Sequence, residues 1–318
     1  MATTATAPAL GIGERARPVR SFRLRRSEWL ILAFLIYAPA LALLLPVAHA
    51  VRGRICVVDA AVLLAYGFLV RSDTRRPRLF LGVIRDWLPL AAVILAYREM
   101  GWFALPHTSW LLESHWVVWD RLVLRGGARA AIEIFGPILP ALLEIAYALV
   151  YTLAPFCVAV LYLSGSRASV DRFLFVFVLG ALLCYAQFPF WPSEPPRVVF
   201  AGQDLPSYFT VFRRFNLWML GDCGIHTSVF PSAHVAAAFS AAFGMRYAMP
   251  SARRLGAFLF SIAALIAVAT VYGRYHYLAD AAAGLLMALF AAALQGCCLP
   301  ARAHRKRGVL PQVLTEES

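Results

Sequence analysis

Eight apolar runs separated by short polar stretches fill most of the 318 residues, and they require the chain to fold largely in lipid. They cover approximately residues 29–48, 55–70, 79–104, 137–163, 170–191, 233–250, 255–272 and 276–298. Most approach the roughly 20 residues that a helix needs to cross the hydrocarbon core. The second is short and contains Asp59. Composition agrees: 61% of the residues are hydrophobic and 15% charged, whereas soluble domains carry about a quarter charged.

The first run, Trp29 to about Ala48, follows a polar stretch that holds Arg15, Arg17, Arg20, Arg23, Arg25 and Arg26. Ala48-His49-Ala50 matches a small-x-small cleavage pattern, but the run exceeds the about 7–15 apolar residues of a signal peptide, which favours a retained helix. Between the third and fourth runs, His107 to Leu124 mixes Trp110, Leu111, Trp116, Val117, Trp119 and Leu122 with Glu113, His115, Asp120 and Arg121. That composition suits a helix lying at the membrane interface.

Eight crossings from a cytoplasmic N-terminus put eighteen Lys and Arg residues on the cytoplasmic side and nine on the other, with Arg85, Arg98 and Arg246 inside spans. The bias obeys the positive-inside rule. The net charge of +13 is therefore read as orientation and contact with anionic membrane lipids, with no nucleic-acid partner. The expected organisation is an all-α polytopic bundle in the cell membrane. It comprises a cytoplasmic basic arm (1–28), N-terminal transmembrane helices (29–104), an extracytoplasmic interfacial segment (105–134), a membrane core (135–298) and a cytoplasmic tail (299–318). The six cysteines form no C-x-x-C pair and imply neither a metal site nor a disulfide framework. Arg85 and Arg98 stand beside Asp86 and Glu99, which suggests local pairing of these intramembrane charges; Asp59 and Glu144 are two further acids in apolar segments.

On this topology three polar stretches reach one membrane face: Trp191-Pro-Ser-Glu-Pro-Pro-Arg197, Phe230-Pro-Ser-Ala-His234 and Gly273-Arg-Tyr-His-Tyr-Leu-Ala-Asp280. The loop from about Pro192 to Pro231 that joins the first two is too rich in Pro, Gly and Asp for a spanning helix. His276 and Asp280 are four apart, so on a helix the carboxylate can hold one ring nitrogen and leave the other free to attack. The bland alternative is a histidine and an aspartate that satisfy each other at a helix start. Ser232 can cap the next helix, whose N–H groups then favour an anion, and His234 in its first turn can donate a proton to a leaving oxygen. A capped helix with a surface histidine is the plain reading of the same residues. Arg197 and Arg274 are candidate phosphate clamps, although a lone arginine more often snorkels to headgroups. Asp222, His226 and Thr227 precede the serine stretch, with Asp222, His226 and Tyr277 as further candidate substrate contacts.

These residues resemble the type-2 phosphatidate phosphatase superfamily, which includes lipid phosphate phosphatases and is related to vanadium haloperoxidases. The P-S-x-H stretch ending at His234 and the H-x-x-x-D stretch from His276 to Asp280 carry the likeness over roughly residues 130–298. The resemblance implies a six-helix phosphatase-like core with extra N-terminal helices. It also implies that His276 is a nucleophile forming phosphohistidine, Asp280 its partner, His234 the general acid, and Ser232 and Arg197 phosphate ligands. The sequence departs from the phosphatase pattern in two places. Phe190 stands where the family has a lysine, and Ala269 and Thr270 stand where it has serine and arginine. The ending His276-Tyr277-Leu-Ala-Asp280-Ala-Ala-Ala-Gly284 is similar to the inositol phosphorylceramide synthase branch. The resemblance implies a phospholipid or polyprenyl phosphate substrate, water or an alcohol as acceptor, and no cofactor.

Two other classes fit parts of the sequence. A metal hydrolase would use His226, His234, His276 and Asp280 as ligands, but the flanking arginines would repel the cation. A transporter or non-catalytic lipid-binding protein would use the arginines alone to hold headgroups.

Overall fold

A computed structural model of the chain describes residues 24–103 and 110–297. The basic arm expected over 1–28, the interfacial segment over 105–134 and the tail over 299–318 lie partly or wholly outside the described residues. Among these residues every regular element is helical, the form that satisfies backbone polar groups within a span. α1 (Arg26–Leu44), α2 (His49–Arg75) and α3 (Leu79–Met100) run back and forth through the bundle. The interfacial stretch folds as α4 (Leu111–Val123) and, past a kink at Gly127 (φ 118°), as the short α5 (Arg129–Glu133). α6 (Ile138–Leu163) and α7 (Val170–Tyr185) lead into the long loop, which holds α8 (Pro196–Val199) and α9 (Val211–Cys223). α10 (Ala233–Ala248), α11 (Arg253–Tyr272) and α12 (Leu278–Cys297) complete the chain.

Seven helical segments among the described residues are long and apolar enough to cross a membrane. The eighth apolar run forms α10, whose 16 residues span about 24 Å, less than the about 30 Å hydrocarbon core. α10 lies inside the bundle, packed by α7, α11 and α12. Protein surrounds it, so its length need not match the bilayer. Six helices of eight residues or more lie between 138 and 297; α6, α7, α10, α11 and α12 form the bundle and α9 packs on α6. α9 is a helix that the loop's composition did not announce. Thr210 starts it by accepting from the Arg213 N–H at 3.2 Å, and 13 residues are too few to span.

Close approach depends on small residues. A Cβ on Gly180 would lie 2.0 Å from Ser240 Oγ, and one on Gly284 would lie 2.3 Å from the Ser232 carbonyl oxygen. Glycine there lets α7 and α12 press against α10 and its N-terminal turn. Large apolar side chains such as Leu44, Phe68 and Leu163 face outward, as lipid-facing positions do.

At the end of the bundle away from the site, ion pairs tie the helices together. Arg85 binds Glu28 (2.7 Å) and Asp73 (2.8 Å), while Asp86 binds Arg25 (2.5 Å) and Arg167 (2.7 Å). The local pairing expected of Arg85 with Asp86 and of Arg98 with Glu99 does not form. Adjacent residues leave a helix in different directions, so Arg85, Asp86 and Arg98 find partners on other elements. Arg98 donates to the Cys223 carbonyl at 2.7 Å, and Glu99 faces Asp59 of α2.

Candidate active site

The three polar stretches meet where α7, α10 and α11 have their near ends. Backbone bonds join them: the Arg197 N–H donates to the Arg274 carbonyl (3.2 Å) and the Ser232 N–H to the Asp280 carbonyl (2.9 Å). The Ser228 hydroxyl donates to the Trp191 carbonyl at 2.5 Å. The turn between α11 and α12 is held from within, since the Tyr275 and His276 N–H groups both donate to the Thr270 carbonyl (2.9 and 3.0 Å).

His276 Nδ1 lies 3.0 Å from the Val229 carbonyl. A carbonyl only accepts, so Nδ1 carries the proton and Nε2 keeps its lone pair. Asp280 Oδ2 is 3.4 Å from the same Nδ1 and accepts the Tyr277 N–H at 2.8 Å. The hold expected from Asp280 alone is therefore shared, with Val229 the nearer acceptor. Burial first and the Arg197 charge second push the His276 pKa down to about 3, against the pull of the Val229 carbonyl. The ring is neutral near pH 7.

His234 Nδ1 is 3.4 Å from His276 Nε2. With the lone pair on the latter, His234 Nδ1 is the donor and its Nε2 accepts from the Tyr151 hydroxyl at 3.3 Å. The His234 ring stacks on Tyr147 (centroids 4.8 Å, planes 16° apart), which in turn stacks on Tyr275 (4.2 Å). A tyrosine hydroxyl, a histidine, a second histidine and a carbonyl thus form one chain.

Both imidazoles line a cavity of about 70 Å³, together with Arg197, Glu194, His226 and the apolar side chains of Tyr97, Phe188, Val198, Leu220 and Ile225. That is room for a phosphoryl group rather than for a drug-sized molecule, which needs about 300 Å³ or more. A chain attached to the group must therefore project from the cavity. The Arg197 guanidinium sits 5.5 Å from the Tyr275 ring centroid, and among the described residues no carboxylate is within ion-pairing distance of it. Burial lowers its pKa from the usual value, but a guanidinium stays charged. The most deeply buried arginines among the described residues are, by contrast, each paired: Arg85 with Glu28, Arg213 with Glu144 at 2.9 Å, and Arg274 with Asp120 at 2.5 Å.

The candidate residues divide as follows. His276, His234, Arg197 and His226 line the cavity, and Asp280 touches His276 from behind. Arg274, expected as a second clamp, does not line it; its side chain is fully buried and bound to Asp120 of α4. Its backbone takes a positive φ of 61°. Ser232 is also fully buried, and its hydroxyl accepts the Val235 N–H at 3.4 Å as the cap of α10. Asp222 is exposed on α9, Tyr277 is buried with its ring 5.6 Å from Trp116, and Thr227 donates to the Met100 carbonyl.

The model of the PAP2 superfamily, the type-2 phosphatidate phosphatase superfamily, matches residues 135–294, half of the chain. The chain belongs to that superfamily. Neither among curated proteins nor among solved structures does anything match it. PAP2 membership supports a phosphatase-type enzyme of lipid phosphates, and the apolar helices make this member a multi-pass membrane protein.

Several residues at this PAP2 site escaped sequence reasoning. Tyr151 and Tyr147 hold His234 from α6. Glu144, also on α6, accepts from Arg213 (2.9 Å), Asn216 (2.7 Å) and the Tyr275 hydroxyl (2.6 Å), while Arg213 reaches the Gly273 carbonyl (3.1 Å). The one available signal was Glu144 itself, a charge inside an apolar run. Asp120, Glu113 and Trp116 come from α4, ahead of the matched region.

Proposed function

We propose that this PAP2 member cleaves a lipid phosphate ester through a phosphohistidine on His276 and passes the phosphoryl group, or a phospho-headgroup, to water or an alcohol. One observation carries the reading: a neutral imidazole whose Nε2 keeps its lone pair shares a phosphoryl-sized cavity with a second imidazole and with Arg197, whose guanidinium has no carboxylate partner among the described residues. Such a guanidinium is suited to phosphate oxygens. The His276 Nε2 lone pair forms the N–P bond while the ester P–O bond breaks. Burial first, then His276 and the Arg197 charge, push the His234 pKa down to about 3 in the empty cavity, so the ring takes up a second proton only when the anionic ester offsets these effects; it then gives its Nδ1 proton to the leaving oxygen. Water or an alcohol then attacks phosphorus, returns a proton to His234 and releases His276.

In-line transfer requires attack at about 3–3.5 Å and a proton donor within about 3 Å of the leaving oxygen, so the two nitrogens must stand roughly 6 Å apart. They are 3.4 Å apart. The reading therefore includes a swing of His234 along the Tyr147 face that gives up the Tyr151 bond, while His276 stays tied to both Val229 and Asp280.

Charge narrows the donor. With ester bound the cavity offers one unpaired guanidinium, the His234 imidazolium, a neutral His276 and the Glu194 carboxylate, a net single positive charge. That balance suits a singly charged phosphodiester better than a doubly charged monoester, and it agrees with Phe190 and Thr270 replacing two cations of the resembled pattern. The arginine bias supports an extracytoplasmic site with both termini inside.

The test is purified protein in bilayers with labelled phosphodiester and phosphomonoester lipids, with and without candidate alcohols. Acid-labile label on the wild type but not on His276→Ala, inhibition by orthovanadate and resistance to EDTA are expected. Full turnover by His276→Ala would end the proposal.

A further inference from the structure

The PAP2 match begins at residue 135, yet a helix ahead of it reaches all three site stretches. The inward side of α4 carries two fully buried carboxylates, Glu113 and Asp120, while Leu111, Val118, Trp119 and Leu122 face outward. Positions 113, 116 and 120 are spaced by three and four, so they share a face. Glu113 Oε1 accepts the Glu194 N–H at 3.1 Å, three residues before Arg197. Trp116 stacks on Phe230 (centroids 5.0 Å, planes 19° apart), next to the carbonyl that holds His276. Asp120 spends one oxygen on Arg274 Nη1 (2.5 Å) and the other on the Leu278 N–H (2.8 Å).

Arg274 and Leu278 flank His276 by two residues on each side. We propose that Asp120 is a positioning residue for His276, and that α4 is therefore part of the active site although it lies outside the family match. The inference rests on the reading of His276 as nucleophile.

The turn needs an outside anchor. Arg274 has φ 61°, a conformation that L side chains rarely adopt, and its side chain is fully buried. Among the described residues Asp120 is its one carboxylate partner, and Nε and Nη2 have no hydrogen-bond partner. The Leu278 N–H belongs to the first turn of α12, where no helical carbonyl is available. A single carboxylate thus fixes both ends of the five-residue arc that aims the His276 ring. A displacement of about 1 Å at a reacting atom costs on the order of 10²-fold in rate.

The test uses the full chain in lipid nanodiscs with three variants: Asp120→Asn, Asp120→Glu, and Asp120→Asn combined with Arg274→Gln. The double variant removes both buried charges, so a merely structural ion pair predicts recovery of function together with stability. Positioning predicts recovery of stability alone. Two readouts are taken: orthovanadate affinity by calorimetry, and the ¹⁵N signals of His276 in histidine-labelled protein, assigned with His276→Ala. The expected result is vanadate affinity about tenfold weaker in Asp120→Asn and in the double variant, with the His276 signals moved from their wild-type tautomer positions. Wild-type affinity in the double variant, or unmoved His276 signals in Asp120→Asn, overturns the proposal. Vanadate that ignores the wild type, or binds His276→Ala equally well, strikes the nucleophile reading instead, and the ¹⁵N signals still decide whether Asp120 holds the ring. Where Asp120→Asn does not fold, the double variant carries both measurements.

Discussion

Gly284→Ala is a one-carbon change that should separate the stretches on which the site is built. The new Cβ would stand 2.3 Å from the Ser232 carbonyl oxygen and 3.3 Å from the Ala236 nitrogen. Both are backbone atoms and cannot rotate away. Ordinary contact begins at 3.4 Å, so α12 must retreat from the start of α10 by about 1 Å. The retreat opens the 2.9 Å bond between the Ser232 N–H and the Asp280 carbonyl. It also carries Asp280 and the His276 turn away from His234. Overpacking of this kind costs typically 1–3 kcal/mol of stability, and about 1 Å of misplacement costs on the order of 10²-fold in rate. The assay measures phosphate-ester turnover and orthovanadate affinity of Gly284→Ala beside wild type, with thermal unfolding in the same detergent. A fall in kcat of about 100-fold, with unfolding lowered by only a few degrees, is expected. If the variant turns over within threefold of wild type, the close approach of α12 to Ser232 does not set the site's geometry and the reasoning fails.

Arg274→Met should lower stability by roughly 3–5 kcal/mol, because it leaves the buried Asp120 carboxylate without its partner, and adding Asp120→Leu should restore most of that in chemical unfolding. Tyr151→Phe removes the hydroxyl 3.3 Å from His234 Nε2. One net hydrogen bond predicts a fall of about two- to tenfold in kcat at unchanged KM, and an unaltered kcat would remove Tyr151 from the chain. Burial pushes the Asp120 carboxyl up to about 6 against the Leu278 N–H and Arg274, with Asp280 of α12 opposing its ionisation and Glu113 close by on α4. Its charge is therefore present above about pH 6 and lost below. Turnover should fall on the acid side through that pH, and Asp120→Asn, which carries no charge at any pH, should lack this limb of the profile. His276 is already neutral throughout that range and should add no limb of its own above about pH 4.

How much was legible depended on whether the information was local. Apolar run length fixes a helix whatever lies beside it, so the spans of α1, α6, α11 and α12 could be read directly. The eighth, α10, could be located but not sized, because a helix enclosed by protein is released from the thickness of the bilayer. The spacing of His276 and Asp280 and the P-S-x-H stretch likewise announced themselves, since each lies within a single turn of chain. The Val229 carbonyl beside His276 could not be read from side-chain patterns, because a backbone acceptor has no identity in sequence.

Arginines show the division most sharply. The sequence alone established that the chain is a helical membrane protein with imidazoles, a carboxylate and guanidinium groups near one face, because hydropathy and short-range spacing are properties of neighbouring residues. It could not tell Arg197 from Arg274. Tertiary packing placed Asp120 of α4 against Arg274, 154 residues apart, and left Arg197 in the cavity without a carboxylate partner among the described residues. A buried charge is available to a ligand only when no opposite charge has been folded against it, and that pairing is decided by which helices meet.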